Sequence, residues 1–477
     1  MAAPPSDSLD ATHEELLARL APHNQQHVLS FWDRLTLVER HNLAREVHGL
    51  DFEQLDQCLA IGGATSPSRE LLEQVAPAPA VRLNESNENQ EQARQTGIEA
   101  LRAGQVGVIF VAGGQGSRLG FPHPKGMFPI GPVSNSSLFQ ILFEKLIATS
   151  RTYGTSLPLY LMTSPATHKE TVDYLSEKNY FGINSQDVTI FSQGVMPAVD
   201  AESRRLLMAA PDSLFLSPDG HGGLIAGMLN AGVIDDMRRR GLRYLFYVQV
   251  DNPLTKVCDP LFIGYHILRQ SELSTQVVAK QSPDDRLGNV VSIGSQVHII
   301  EYSDMPTDVA KEQNADGSLK LWAGSIAVHV FDVDFLRRAC QNDVELPWHI
   351  AQKAVPHIDE SGEIVTPGEP NALKFERFIF DLLPAAKNGL VVEVDRQECF
   401  APVKNAPGSS SDSPQHVQQQ MCDLHRRWLK QAGAIVADTA VVEISPLAAL
   451  NESQVSDMID RGTTVTDGTF LSDKDKS

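Results

Sequence analysis

Residues 111–125 read V-A-G-G-Q-G-S-R-L-G-F-P-H-P-K and follow directly on the apolar run 106–111. A short apolar run closed by a glycine-rich turn is the pattern of a buried strand feeding a loop. Gly113, Gly114 and Gly116 are expected to let the backbone turn sharply at φ > 0, because glycine has no Cβ to clash there. Successive N–H groups turned outward make a concavity for anions. Arg118 and Lys125 add one forked guanidinium and one ammonium on a flexible stem. The expected ligand is a nucleoside triphosphate. Two commoner glycine loops fail on spacing: the dinucleotide fingerprint needs a glycine where Leu119 stands, and no lysine follows a glycine at the P-loop interval. A glycine-rich turn without a ligand is the remaining alternative.

Composition narrows the partners. The chain has 477 residues, 42% hydrophobic and 21% charged, which suits two to three globular domains. Residues 1–8 carry neither a basic stretch nor an apolar core of a secretory signal, and no run approaches a membrane span, so a cytoplasmic protein is expected. The five cysteines are scattered singly, without zinc-site spacing, and are expected to be reduced. A formal charge of −20 argues against nucleic acid or an acidic membrane as partner. An acidic protein that binds phosphates must gather its cations locally or recruit a metal ion.

Along the chain, residues 1–95 show apolar positions at helical spacing, and Thr12/Glu15 and Thr36/Glu39 fit capping boxes. Pro77, Pro79 and the polar stretch 84–95 suggest a linker. From about 100 to 385, short apolar runs alternate with amphipathic segments, as in βα units around a mostly parallel sheet. Strands are expected at 106–111, 157–162, 188–191, 244–250, 276–279 and 290–300, and helices at 225–237 and 417–432. In such sheets ligands lie beyond the carboxyl ends of the strands.

Candidate chemistry falls at those ends. The apolar run 244–250 stops at Asp251-Asn252-Pro253, where a carboxylate can hold Mg²⁺ while phosphates complete its shell; a plain turn is the alternative. Residues 217–224, S-P-D-G-H-G-G-L, precede the 225–237 helix, and their glycines would let backbone approach a ring or sugar with His221 facing it. Gln193 could read a base edge, and Glu301 could accept from sugar hydroxyls. Lys374 and Lys404 taken singly are as easily solvated surface residues.

In order, V-A-G-G-Q-G-S-R-L-G with P-K-G-M, F-S-Q-G, S-P-D-G-H-G-G-L, V-D-N, I-E-Y-S, L-K-F-E-R-F-I-F-D and V-K-N-A resemble the eukaryotic-type UDP-N-acetylhexosamine pyrophosphorylases, among the UTP:sugar-1-phosphate uridylyltransferases. The resemblance spans about residues 100–405, with an echo at E-I-S-P-L, residues 443–447. It implies an α/β fold: a Rossmann-like nucleotidyltransferase domain, 96–385, with a mixed, mostly parallel sheet, between a helical region, 1–95, and a small C-terminal domain, 386–477. It implies UTP and a sugar 1-phosphate as substrates, with Mg²⁺ on Asp251. Ala112, Gly113, Gly114, Gln115 and Gly116 would cradle uridine and triphosphate, with Gln193 and Gly220 near the base. Arg118, Lys125, Lys374 and Lys404 would face phosphates, and Gly288 and Glu301 the sugar. Two stretches depart from the pattern: His221 replaces the asparagine of Asp-Gly-Asn-Gly-Gly, and Trp322-Ala323-Gly324-Ser325 replaces Asn-Ala-Gly-Asn. Losing amides that read hydroxyl or acetamido groups can shift sugar choice, so N-acetylglucosamine 1-phosphate stands first, glucose or galactose 1-phosphate second, and a catalytically silent nucleotide-sugar binding protein third. The sequence sets no oligomeric state.

Overall fold

A computed structural model of the chain describes residues 12–61, 69–83, 88–341 and 346–473. By contact the described residues form two compact units, which do not follow the three consecutive segments expected above. The smaller takes residues from Met1–Ser66, Gly194–Gly223 and Leu346–Ile379, and the larger from Pro67–Gln193, Leu224–Glu345 and Phe380–Ser477. Apolar packing explains the interleaving. Leu16, Leu43, Val47 and Cys58 of the N-terminal helices share one core with Met196, Leu214, Ile350 and Phe375. Both capping boxes form there: Thr12 and Thr36 each accept from the backbone N–H three residues on, and Glu15 and Glu39 reach back.

The larger unit is built on one sheet, whose strands are β1 (Val75–Pro77), β2 (Ala80–Val81), β3 (Val106–Val111), β4 (Leu159–Thr163), β5 (Val188–Ser192), β6 (Tyr244–Gln249), β7 (Leu273–Ala279), β8 (Asn289–Ile293), β9 (Gln296–Ile300), β10 (Ala323–Asp332) and β11 (Leu390–Glu393). The main path runs β2-β11-β7-β10-β6-β3-β4-β5, with β8 joining β10, β1 and β9 at one side. Neighbours along β6-β3-β4-β5 and β7-β11-β2 are parallel, while β10 lies antiparallel between β6 and β7. The sheet is thus mixed and mostly parallel. β3 and β6 carry nearly continuous burial, as strands covered on both faces do.

Three local expectations are revised. The polar stretch thought to be a linker is largely helical: residues 84–87 lie outside those described, and Glu88–Arg102 forms a helix. Its small residues hide the packing, since a Cβ on Gly97 would sit 1.9 Å from Pro260 O and one on Gly264 would sit 1.6 Å from Ala93 O. Only glycine permits that approach to the helix Pro260–Leu268. Pro77 ends the short strand β1 rather than marking a linker. The helix expected at 225–237 divides into Leu224–Asn230 and Val233–Arg239, because Gly232 takes φ 66°. The helix expected at 417–432 forms as Pro414–Gln431, started by the Ser413 hydroxyl, which accepts from His416 N–H. It packs with Val442, Ile444 and Val455 against Leu119, Ile130, Leu138 and Leu254, around the loops that bear the candidate site.

Candidate active site

Strand register puts four sequence-distant positions in one row. Gln249, Val111, Met162 and Phe191 pair across β6, β3, β4 and β5. Two residues beyond each stand Asp251, Gly113, Ser164 and Gln193. The ladder persists past the strand ends through Val250 N–H to Val111 O at 3.1 Å, Ala112 N–H to Met162 O at 2.7 Å and Gln193 N–H to Thr163 O at 2.9 Å. Gly113 makes room for its neighbour, since a Cβ there would lie 2.4 Å from Gln193 Oε1. Gln193 is accordingly buried against the glycine loop.

The loop is closed by its own backbone. Lys125 N–H donates to Gly114 O and Gly116 N–H to His123 O, at 3.0 and 2.9 Å. Gly113, Gly114 and Gly116 do not adopt positive φ, contrary to expectation; Gly120 does, at 68°. Close approach explains two of them instead. A Cβ on Gly116 would meet Phe121 at 2.8 Å, whereas one on Gly114 would meet nothing within 4 Å. Gly114 and Gln115 are exposed, and Gln115 Nε2 donates to Ala166 O at 3.5 Å.

Cations converge on Asp251. Lys125 Nζ lies 3.1 Å from Asp251 Oδ2, with the two side chains 18% and 14% exposed. Val403 N–H donates to Asp251 O at 2.9 Å, which brings Lys404 alongside. Burial pushes the Asp251 carboxyl up, but the Lys125 and Lys404 charges and the Lys125 hydrogen bond outweigh it, so the group is held below its ordinary value and stays ionised. Arg118, on the turn Ser117–Leu119, is exposed and forms no ion pair with Asp251 among the described residues.

On the other side of β6 the sugar candidates come together. β10 runs antiparallel to β6, so its first residues lie at the edge where β6 ends. Ser325 N–H donates to Gly288 O at 2.9 Å, and Gly324 pairs with Asn289. A Cβ on Gly288 would stand 3.5 Å from Glu301 Oε1 and 3.9 Å from Ser325 Cβ. Gly288, Glu301 and Ser325 therefore share one corner of the edge that carries Asp251.

Gly220, His221 and Lys374 belong to the smaller unit. Its glycines pack against protein rather than leaving space. A Cβ on Gly220, where φ is 80°, would lie 2.4 Å from Arg377 O; on Gly222, 2.7 Å from Arg377 C; on Gly223, 2.0 Å from Asp219 Oδ1. His221 Nδ1 accepts from Ile379 N–H at 3.1 Å, and its ring stacks on Phe378 with centroids 5.2 Å apart. Burial, with His349 nearby, lowers its pKa to about 4 and keeps it neutral. Lys374 Nζ lies 5.1 Å from the Phe215 ring centroid, and burial lowers its pKa.

Several supporting residues escaped the sequence argument. Asp219 pairs with Arg377 at 2.8 Å and organises the S-P-D-G-H-G-G-L turn. Asn252 donates to Cys399 O and accepts from Ala401 N–H and Leu254 N–H, holding in place the segment that leads to Lys404. Glu443 accepts from Val133 N–H, Ser134 N–H and the Ser134 hydroxyl, which gives the E-I-S-P-L echo a structural job beside the Lys125 loop. Hydrogen-bond partners this far apart in sequence leave no local signal.

The chain resembles known proteins along most of its length. The sequence signature described as UTP–glucose-1-phosphate uridylyltransferase matches residues 67–458. The chain is 41% identical over 360 residues to the UDP-N-acetylglucosamine pyrophosphorylase of Saccharomyces cerevisiae, covering 73% of this chain and 75% of that protein. It is 33% identical over 468 residues to the UDP-N-acetylglucosamine diphosphorylase 2 of Arabidopsis thaliana, covering 94% and 91%. The crystal structure of the uridine diphosphate N-acetylglucosamine pyrophosphorylase of Trypanosoma brucei, in complex with an inhibitor, superposes with a TM-score of 0.79 at 25% identity, covering 95% of each chain.

Proposed function

The chain belongs to the UTP–glucose-1-phosphate uridylyltransferase family and is a nucleotidyltransferase of the pyrophosphorylase type; from that premise we propose that it converts UTP and N-acetylglucosamine 1-phosphate into UDP-N-acetylglucosamine and pyrophosphate. The observation that carries the site assignment is the Asp251 carboxylate at the end of β6, with Lys125 paired to it and Lys404 alongside, between the glycine loop and the Gly288–Glu301–Ser325 corner. Nucleotide is expected on the loop side, against Gln193, and sugar on the other.

A phosphate oxygen of the sugar 1-phosphate attacks the α-phosphorus of UTP. The bond to the oxygen bridging the α- and β-phosphates breaks, and pyrophosphate leaves with that electron pair. No protein nucleophile is required, so the task is to align two anions and offset their repulsion. Lys125 and Lys404 would do this from within the edge, and Arg118, exposed on the same loop, would join them on the phosphate tail. Asp251 fits Mg²⁺. Among the described residues no three His, Cys, Asp or Glu cluster as a metal cage, and Mg²⁺ characteristically takes one or two carboxylates and completes its shell with water and phosphate oxygens. When bound there it would supply further charge neutralisation to those oxygens.

The N-acetylated sugar is favoured by the names of the relatives. Of the departing residues, His221 is engaged structurally through Ile379 and Phe378, and the Trp322 ring lies under the Arg82 guanidinium at 3.6 Å, which leaves Ser325 as the position that bears on sugar choice. No helix among the described residues is long and apolar enough to cross a membrane. The five cysteines are free and buried, which suits a reducing compartment, and we assign the protein to the cytoplasm.

Pyrophosphate release from UTP with Mg²⁺, measured across N-acetylglucosamine, glucose and galactose 1-phosphates, tests the proposal. N-acetylglucosamine 1-phosphate should give the highest kcat/KM. Preference for a hexose 1-phosphate overturns the sugar assignment, and no release with any of them overturns the reaction.

A further inference from the structure

A cavity of about 550 Å³ lies in the larger unit, away from the glycine loop, between the helix Leu138–Tyr153, the residues after Asp251 and the C-terminal segment. One wall is apolar, with Met421, Leu424 and Trp428. Arg94, Asn451 and Ser453 line it too and are exposed, so the cavity opens to solvent beside them.

Lys145 is the unusual group in its lining. Its Nζ donates to Pro253 O at 2.6 Å and Thr255 O at 2.9 Å, which leaves one N–H over. No carboxylate stands within ion-pair distance of it among the described residues. Of the other charges along the wall, Lys256 pairs with Glu398, Glu443 accepts from the Val133 and Ser134 amides and Asp259 from Leu261 N–H, while Arg94 and Glu452 are exposed to solvent. His425 accepts from Ile444 N–H and is neutral, its pKa lowered by burial to about 4. Desolvation likewise lowers Lys145, to about 7. An ammonium withdrawn from water without a counter-ion is costly, and an anion would relieve it.

We propose that this cavity binds a small organic anion with an apolar body, its charged group completing the shell of Lys145 and its body lying against Trp428, Met421 and Leu424. Binding at this position bears on catalysis. The two carbonyls that Lys145 holds follow Asp251 by two and four residues, and the helix that carries Lys145 begins where the Lys125 loop ends, with Leu138 N–H donating to Phe128 O. An anion that draws the ammonium toward itself loosens the turn behind Asp251 and slows turnover. The rate effect rests on the reaction proposed above; the binding does not.

Anilinonaphthalene sulfonate, an anion with an apolar body, and neutral phenylnaphthylamine are suitable fluorescent probes for the full-length protein. The sulfonate should bind at a single site, undisturbed by saturating UTP, and Lys145→Met should weaken it by roughly tenfold or more, the worth of a hydrogen bond to a charged group. Phenylnaphthylamine should bind wild type and Lys145→Met alike. Ser453→Trp, at the exposed mouth, should block both probes and leave basal turnover unchanged. Saturating sulfonate should slow pyrophosphate release by roughly fivefold in wild type and not in Ser453→Trp, within the usual range of coupling between sites. Displacement by UTP, equal sulfonate affinity in Lys145→Met, or unaltered binding to Ser453→Trp overturns the site. Binding without any change in rate overturns its link to Asp251. Absence of basal turnover would fall on the proposed function and leave the binding result standing.

Discussion

Two glycine-rich stretches, residues 112–116 and 217–224, look alike in sequence and are built for different work. In the second, the missing Cβ positions are filled by the chain itself: Arg377 lies against Gly220 and Gly222, and the Asp219 carboxylate against Gly223. In the first, Gly113 admits Gln193 and Gly116 admits Phe121, but the space beside Gly114 is open and exposed. What occupies the volume of the absent side chain therefore differs: protein in the second stretch, open space beside Gly114 in the first. Composition alone does not distinguish them.

The comparison can be broken most severely at the charges beside the open loop. Asp251→Ala and Lys125→Ala should each lower kcat by about 10²–10³, the usual loss on removing one electrostatic contact to the reacting groups, with the fold retained by circular dichroism. A rate near wild type in either variant would detach the loop from catalysis. At the packed stretch the expected effect is on stability. Gly223→Ala drives a Cβ to 2.0 Å from Asp219 Oδ1, and overpacking of this kind costs roughly 1–3 kcal/mol, visible as a lower thermal midpoint. Gly114→Ala, with nothing within 4 Å, should leave the midpoint where it is and raise KM for UTP severalfold. If the two glycine variants exchange behaviour, the roles of the stretches are reversed.

A smaller effect follows from His221. Its pKa in the folded chain is about 4, against an ordinary 6.5, through burial and His349. The unfolded chain therefore binds more protons between those values, so the stabilising contribution is complete above about pH 6.5 and is lost as pH falls toward 4. The slope is at most about 1.4 kcal/mol per pH unit. His221→Asn should flatten part of the acid limb in denaturant melts and keep a partner for Ile379 N–H. His266 and His425, both lowered by burial, retain the remainder. An unchanged acid limb would mean that His221 is solvated.

Much of the sheet was legible because parallel strands covered on both faces appear as apolar runs, and 106–111 and 188–191 lie within a residue of their observed bounds. The carboxyl-end rule then placed the glycine loop and Asp251 on one edge. β10 was not legible: Ala323–Asp332 departs from a regular strand, with Ala327 at φ 54° and a register shift opposite it in β7. The interleaving of the smaller unit was hidden for a different reason. Its core is assembled from stretches separated by more than a hundred residues, none amphipathic enough alone to declare its partner. In the site, residue types were readable, whereas convergence was not. Lys125, Asp251 and Lys404 are brought together by register and by Asn252, whose three hydrogen bonds are invisible in a linear string.

In the proposed reaction Asp251 holds a divalent cation against the UTP tail, with Lys125 and Lys404 alongside. Calorimetric titration of UTP into wild type and Asp251→Asn, each with and without Mg²⁺, tests this most directly. Mg²⁺ should tighten UTP binding to wild type and do little for Asp251→Asn; an equal gain from Mg²⁺ in both proteins would contradict it.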